Sequence, residues 1–213
     1  MLLVGRDDGA VGSDTRAVMA ANAVLSYVEF ASTGNATDFG DLNFSTGNMA
    51  GAGSNTRGLF VGGFYNNIDY ITIASTGNAT DFGDLFDTAD NTPGALANAT
   101  RAVFGKVGVG NGGGTSNLMV YVTIASTGNS SNFGTLSGGT RKQNLEGASS
   151  STRGLFAGGY RSYPSIVYYN TIEYITIAST GATSDFGDLD TGLDGGAFGS
   201  GKTRAVFAGG YNG

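Results

Sequence analysis

The sequence contains no cysteine, no histidine and no tryptophan. Without cysteine there is no disulfide framework and no thiol nucleophile. Without histidine as well, Cys/His zinc sites and a Ser-His-Asp relay are excluded. Only carboxylates, tyrosine, lysine and bound metal ions remain as sources of catalytic chemistry. We therefore expect a protein that is not an enzyme, with no catalytic residue and no cofactor.

Positive charge and long apolar runs are also scarce. Lysine and arginine together number 11 against 17 acidic residues, for a net charge of −6, and they are scattered. No basic stripe is present to neutralise phosphates or anionic lipid. The apolar start is interrupted at Arg6, Asp7 and Asp8, too early for a signal peptide, and no run approaches the roughly 18 residues of a membrane span. We expect no nucleic-acid partner, no membrane insertion, no signal peptide and no transmembrane segment.

Glycine is abundant, at 38 of 213 residues, roughly 18% against a typical 7%. The 40% hydrophobic content is nevertheless enough to fill a core. These values predict a folded, glycine-punctuated protein with a single domain over residues 1–213.

Two blocks of sequence repeat along the chain. The block VEFASTGNATDFGDL at 28–42 recurs at 71–85, 122–136 and 175–189 with small changes. A Thr-Arg block followed by apolar residues and glycine begins five times, at Thr15, Thr56, Thr100, Thr152 and Thr203. Successive Thr-Arg pairs are 41, 44, 52 and 51 residues apart, a period that suits a four-stranded propeller blade.

Each period predicts four short strands, A to D. In the second repeat we place them at 49–55, 57–63, 68–75 and 79–85, because β-branched and aromatic residues alternate with turn residues there. Strand A is rich in small residues, which fits a crowded propeller axis. One aromatic recurs in each strand D and one in each strand C, and we expect both sets to pack between blades. These residues are Phe39, Phe82, Phe133 and Phe186, and Tyr27, Tyr70, Tyr121 and Tyr174.

The pattern resembles the kelch repeat. The doublets Gly62-Gly63, Gly158-Gly159 and Gly209-Gly210 match the kelch glycine pair, and Asp69-Tyr70 and Glu173-Tyr174 match its acidic-Tyr step. The strand D phenylalanine stands where kelch repeats carry tryptophan. The first and third repeats depart from the doublet, with Ala20-Ala21 and Gly105-Lys106.

More narrowly, TIASTGNATDFGDL with TRGLFAGG is similar to the kelch-like repeats in structural proteins of tailed phages, especially marine cyanophages. The resemblance implies a structural or adhesive virion component, such as a fibre, tail or head decoration module. It implies a virion or extracellular location. The implied partners are other virion proteins, copies of the chain itself, or a host-surface glycan or protein. The alternative is a free-standing, lectin-like propeller that binds carbohydrate or protein.

The strand count leaves two arrangements open, because four full repeats are followed by an A-B half repeat. We favour five blades with a two-stranded last blade over four blades with a protruding hairpin at 195–213. In the five-bladed arrangement the last strand B, at 204–210, is an open edge that no Lys or Pro protects. We expect another chain, or another copy, to add a strand there by β-augmentation. The candidate residues at this edge are Arg204, Val206, Phe207 and Tyr211.

The segment from Gly196 to Thr203 matches G-x-x-x-x-G-K-[ST], but a P-loop needs a helix after it. Only ten residues follow, and the other repeats place an A-to-B turn at this position, so we interpret the segment as a turn. Lys142 lies in a locally basic insert, which we expect to be a solvated loop.

Charged residues recur in the repeats. An arginine begins every strand B, and we expect each to pair with a carboxylate or carbonyl of its own or the neighbouring blade, the alternative being an anion-binding ring. Acidic pairs in strand D allow a Ca²⁺ interpretation, with ordinary turn chemistry as the alternative. The arginines are Arg16, Arg57, Arg101, Arg153 and Arg204, and the pairs are Asp38/Asp41, Asp81/Asp84 and Asp185/Asp188.

We expect binding where the repeats differ, since insertions in a propeller form loops on its faces. The longest B-to-C connection, in the fourth repeat, contains Tyr160, Arg161, Tyr163, Tyr168 and Tyr169. Tyrosine and arginine supply broad contact area at low entropic cost, as in paratopes. This loop is our candidate binding site. The alternative is that its tyrosines pack on their own blade.

Overall fold

A computed structural model describes residues 3–4, 9–45, 47–63, 65–107, 116–137 and 142–212. These residues form 21 β-strands and no helix. The described part of the chain accordingly contains no helix that is long and apolar enough to cross a membrane. The glycine-rich segment 108–115 and residues 138–141 of the basic insert lie outside the described residues.

The predicted A-B-C-D order is confirmed, because each of the four full repeats forms an antiparallel four-stranded sheet in chain order. A short strand, β1 (Leu3–Val4), precedes them. Sheet 1 contains β2 (Ala10–Gly12), β3 (Arg16–Ala21), β4 (Val24–Glu29) and β5 (Thr37–Asp41). Sheet 2 contains β6 (Met49–Gly53), β7 (Arg57–Gly62), β8 (Asn67–Thr72) and β9 (Thr80–Asp84).

The next two repeats follow the same plan. Sheet 3 contains β10 (Ala89–Ala97), β11 (Arg101–Val107), β12 (Leu118–Thr123) and β13 (Ser131–Thr135). Sheet 4 contains β14 (Glu146–Ser149), β15 (Arg153–Ala157), β18 (Thr171–Thr176) and β19 (Ser184–Asp188). A two-stranded hairpin of β16 (Tyr160–Arg161) and β17 (Val167–Tyr168) is inserted between β15 and β18.

Sheet 5 differs from the expected two strands. It contains β20 (Ala197–Ser200) and β21 (Ala205–Ala208), and β1 pairs with the other edge of β20 in the order β1-β20-β21. The expectation of a two-stranded last blade was therefore wrong, because β1 adds a third strand from the beginning of the chain. The physical reason is that β20 has backbone groups on both edges, and β1 satisfies the edge that β21 leaves unpaired.

The hairpin of sheet 5 does not protrude. Phe198 is buried and contacts Phe207 edge-on, with ring centroids 4.4 Å apart. The same cluster includes Ala157 and Ile172 of sheet 4. Sheet 5 is therefore packed against its neighbour.

The inner strands of the sheets contact one another in chain order, β2 with β6, β6 with β10, β10 with β14 and β14 with β20. These strands need small residues because their backbones approach one another closely. A Cβ on Gly51 would overlap the carbonyl oxygen of Ala10, and one on Gly147 would overlap that of Ala95. The result is an all-β, propeller-like arrangement of radial sheets.

The core lies between neighbouring sheets. Phe39 packs with Ile71 and Ile73 of sheet 2, and Phe82 and Phe133 make the equivalent contacts further along the chain. The expected packing between sheets is confirmed for these three phenylalanines. Phe186 is different, because it is 50% exposed.

Candidate functional site

Three of the repeated arginines join neighbouring sheets. Arg57 lies over the Tyr70 ring, with its Cζ atom 4.4 Å from the ring centroid, and donates a hydrogen bond of 2.7 Å to the carbonyl oxygen of Ile124. The expected pairing with a neighbouring carbonyl is thus confirmed. These arginines therefore link neighbouring sheets. The equivalent donations are Arg16 to Ile73 and Arg101 to Ile177.

In sheets 2, 3 and 4, the C-to-D connection covers the outer edge of the preceding sheet. Gly77 N–H donates to the carbonyl of Phe39 and Ala79 N–H to that of Asp41, both at 2.7 Å. The amide oxygen of Asn78 accepts a third bond, of 3.1 Å, from Asp41 N–H. The same two backbone hydrogen bonds recur at the next two interfaces. Gly128 and Ser130 donate them to sheet 2, and Gly181 and Thr183 donate them to sheet 3.

The acidic pairs of strand D bond locally. Asp81 and Asp185 each accept a hydrogen bond from the N–H two residues on, at 3.2 and 3.3 Å, which is ordinary turn chemistry. Across the described ranges no group of three or more His, Cys, Asp or Glu side chains is placed to hold a metal ion. The geometry of these residues therefore gives no support to a Ca²⁺ site.

The A-to-B turns of all five sheets surround one cavity of about 540 Å³, which we call the axial cavity. Its walls carry hydroxyl and amide groups and one lysine, Lys202. Several of these groups also hold their own turns, as where Ser54 Oγ accepts from Arg57 N–H at 3.2 Å. Sequence reasoning missed this cavity, although the recurring Ser, Asn and Thr residues at each turn were its signal.

The P-loop-like segment forms part of this cavity. Its residues build β20 and the turn at Gly201 and Lys202, and β21 follows. A strand stands where a P-loop requires a helix, so the interpretation as a turn is confirmed.

The tyrosine-rich connection forms the inserted hairpin and packs largely on itself. The rings of Tyr160 and Tyr168 stack with centroids 6.3 Å apart, and Tyr168 meets Tyr211 edge-on at 5.8 Å. Lys142 Nζ lies 5.1 Å from the ring centroid of Tyr169. These tyrosines therefore pack within the chain, which was the alternative to a role in binding.

The tip of the hairpin is exposed. Tyr163 and Ile166 are 67% and 64% exposed. Arg161 is half-buried, and its Nε atom finds no hydrogen-bond partner within the described ranges. The tip therefore presents an aromatic and an aliphatic side chain beyond the framework of sheet 4. Ile166 was not among the residues singled out from the sequence.

A buried polar cluster lies below the hairpin. Lys142 Nζ donates to Glu173 Oε1 and to Thr171 Oγ1, both at 2.8 Å, and Thr183 Oγ1 donates to Glu173 Oε2 at 2.8 Å. Lys142 and Glu173 are both almost fully buried. The expectation of a solvated loop was wrong for Lys142, because its ammonium finds a carboxylate and a hydroxyl inside sheet 4.

Sheet 2 has a related arrangement in which an asparagine, not a lysine, binds the acidic residue. Asp69 accepts hydrogen bonds from the backbone N–H and the side-chain amide of Asn43, at 2.7 and 2.9 Å. Burial raises the pKa of the Asp69 carboxyl, and the bonds from Asn43 oppose that rise only in part.

The candidate edge residues are not all equally accessible. Val206 is 64% exposed and Arg204 lies just before β21, also exposed. Phe207 is instead half-buried against Phe198. Tyr211 exchanges two backbone hydrogen bonds with Asp194, of 2.8 and 3.0 Å. Phe207 and Tyr211 are therefore engaged within the chain, since Tyr211 also contacts Tyr168, although Tyr211 is still 57% exposed.

Comparisons with known proteins address the fold. No family model matches the chain, and no curated protein matches it. A solved structure of YjhT is similar, with a TM-score of 0.72 over 97% of this chain and 72% of that one, at 8% sequence identity. At this identity the likeness shows the fold alone, because one fold hosts many unrelated functions.

Proposed function

We propose that the chain is a non-enzymatic, kelch-like propeller that serves as a structural and adhesive module of a phage virion. The proposal places it in a fibre, tail or head decoration. Five blades are the arrangement we favour, with β1, β20 and β21 as the incomplete last one. The convergence of five A-to-B turns on one cavity supports this blade count.

The observation that carries the binding role is the inserted hairpin. Tyr163 and Ile166 extend from a hairpin that is anchored by stacked tyrosines and by the buried Lys142. A rigid base with exposed aromatic and aliphatic groups at its tip is the usual anatomy of an interface anchor. The partner would be a virion protein or a host-surface glycan or protein.

Two experiments test this function. Mass spectrometry of purified virions should find the chain, and its absence from particles would reject the virion role. The double variant Tyr163→Ala/Ile166→Ala should reduce adsorption of the purified chain to host cells or glycans at least ten-fold. Phe86→Ala, which removes another exposed apolar side chain, is the control and should leave adsorption unchanged. Equal adsorption by the double variant and the parent chain would refute the role of the hairpin tip.

A free-standing lectin-like propeller is the second candidate, and the axial cavity favours it. Its size is within the range of small-ligand sites, and its hydroxyl and amide walls suit a polar ligand. In this case Lys202→Met should abolish binding on a glycan array, whereas the hairpin double variant should have no effect. The opposite result would favour the virion module.

A further inference from the structure

A groove of about 480 Å³ separates the outer part of sheet 4 from sheet 5. Arg153, Leu155 and Phe186 line it on one side, and Arg204, Ala205 and Phe207 on the other. In sheets 1 to 4, two further strands follow strand B, whereas the described part of sheet 5 ends at β21. The groove therefore lies where the C and D strands of a complete repeat would be.

The backbone of β21 is an open template on this side. Gly201 N–H donates to the carbonyl of Arg204, which begins the ladder with β20. Backbone groups alternate between the two edges of an antiparallel strand, so those of Ala205 and Phe207 point into the groove. The equivalent residues of sheet 4, Gly154 and Phe156, lie opposite β18.

The other wall of the groove also lacks a neighbour. A Cβ on Gly134, in β13, would overlap the backbone of Gly181 in the next sheet. A Cβ on the equivalent Gly187, in β19, would meet nothing within 4 Å. The exposed fraction of Phe186 is 50%, against 2% for Phe133 at the same position of its repeat. Among the residues that the structure describes, strand β19 therefore lacks the covering segment that the first three sheets have.

Arg153 is a third indication that a segment next to sheet 4 is missing from the described residues. Its Cζ atom lies 4.7 Å from the Tyr174 ring centroid, as the other arginines lie over their tyrosines. Those arginines also donate to a carbonyl of the next sheet, at 2.7 to 3.0 Å. For Arg153 no such acceptor occurs among the described residues.

We infer that this groove binds a β-hairpin with the C-to-D sequence of the repeats themselves, supplied by a repeat that lies outside residues 1–213 and is not a second copy of them. Its first strand pairs with β21, and its Gly-Asn-Ala segment donates to the carbonyls of Phe186 and Asp188. The backbone carbonyl of the isoleucine in its Thr-Ile pair accepts a hydrogen bond from the Arg153 guanidinium. The three internal interfaces show this occupant in the same position. The inference deepens the proposed assembly role and rests on it for its biological meaning.

The test uses the whole chain and a synthetic peptide with the sequence of residues 67–85, followed by NMR titration. The peptide should bind and should slow hydrogen exchange of the Ala205 and Phe207 amides at least ten-fold. Ala205→Pro removes the outward N–H, which an edge strand tolerates, and should weaken binding at least ten-fold. Arg153→Ala should weaken it several-fold. The control Val24→Thr, an exposed site on sheet 1, should bind as the parent does.

An isolated hairpin is only marginally stable, so a second arm appends residues 65–86 after Gly213. The fused hairpin should protect the same two amides in a monomer. The inference is overturned if neither the free nor the fused hairpin protects them, or if Ala205→Pro binds the peptide unchanged. Protection that appears only on self-association, measured by light scattering, would assign the groove to a second copy and overturn it too. These results are independent of whether the chain occurs in virions.

Discussion

The segments that cover strand D can be tested with two glycines at the same position of their repeats. Gly134 and Gly187 have φ of 149° and 138°, so an alanine at either position is strained by a similar amount, about 1–3 kcal/mol. At Gly134 the new methyl group would also overlap the backbone of Gly181. At Gly187 it would point into open space.

The overlap should displace the segment that covers β13. Two backbone hydrogen bonds depend on it, from Gly181 to Phe133 at 2.7 Å and from Thr183 to Thr135 at 2.9 Å. At about 0.5–1.5 kcal/mol each, their loss adds about 1–3 kcal/mol. Gly134→Ala should therefore lower the free energy of unfolding by about 1–3 kcal/mol more than Gly187→Ala does.

Urea denaturation followed by tyrosine fluorescence and circular dichroism measures this difference. The parent chain and both variants should be compared at one pH, with equal m values as the sign of a common unfolding transition. Equal destabilisation by the two alanines would refute the reasoning, because the covering segment would then contribute nothing. Greater destabilisation at Gly187 would contradict the assignment of open space there.

Phe82→Ala should lower the free energy of unfolding by about 3–5 kcal/mol in urea denaturation, and Phe186→Ala by less than half as much, because Phe186 is half exposed. Lys142→Met should cost about 3–5 kcal/mol in the same assay, because the Glu173 carboxylate then stays buried without its cation; a stabilised variant would contradict the ion pair. Burial raises the pKa of Asp69, so the folded state holds that proton to higher pH than the unfolded state does. Thermal melts should therefore show stability falling as pH rises from the ordinary carboxyl pKa through the raised one, and Asp69→Asn should flatten this dependence.

Most of the fold could be predicted from local sequence. Strand B of the second repeat was expected at 57–63 and occurs at Arg57–Gly62, because its apolar residues and flanking turns repeat in every copy. Strand C was expected at 68–75 and ends earlier, at Thr72, where a turn begins. The pairing of β1 could not be predicted, since two apolar residues do not specify a distant partner strand.

The candidate site was predicted less completely, because it depends on contacts between distant residues. The tyrosine-rich hairpin stood out by composition, but the stacking of Tyr160 on Tyr168 depends on the register of its two strands. Lys142 resembled a surface cation because its partner, Glu173, is 31 residues away in the chain. The axial cavity is formed by turns that are each ordinary when considered alone.

Residue-resolved hydrogen exchange on monomeric residues 1–213 tests most directly the central claim, that β21 has an open edge in this part of the chain. The amides of Ala205 and Phe207 should exchange close to their intrinsic rates, whereas Val206 and Ala208, paired with β20, should be protected. The matched amides of Gly154 and Phe156, which face β18, should be slow. Protection of Ala205 and Phe207 equal to that of Gly154 and Phe156 would contradict the account.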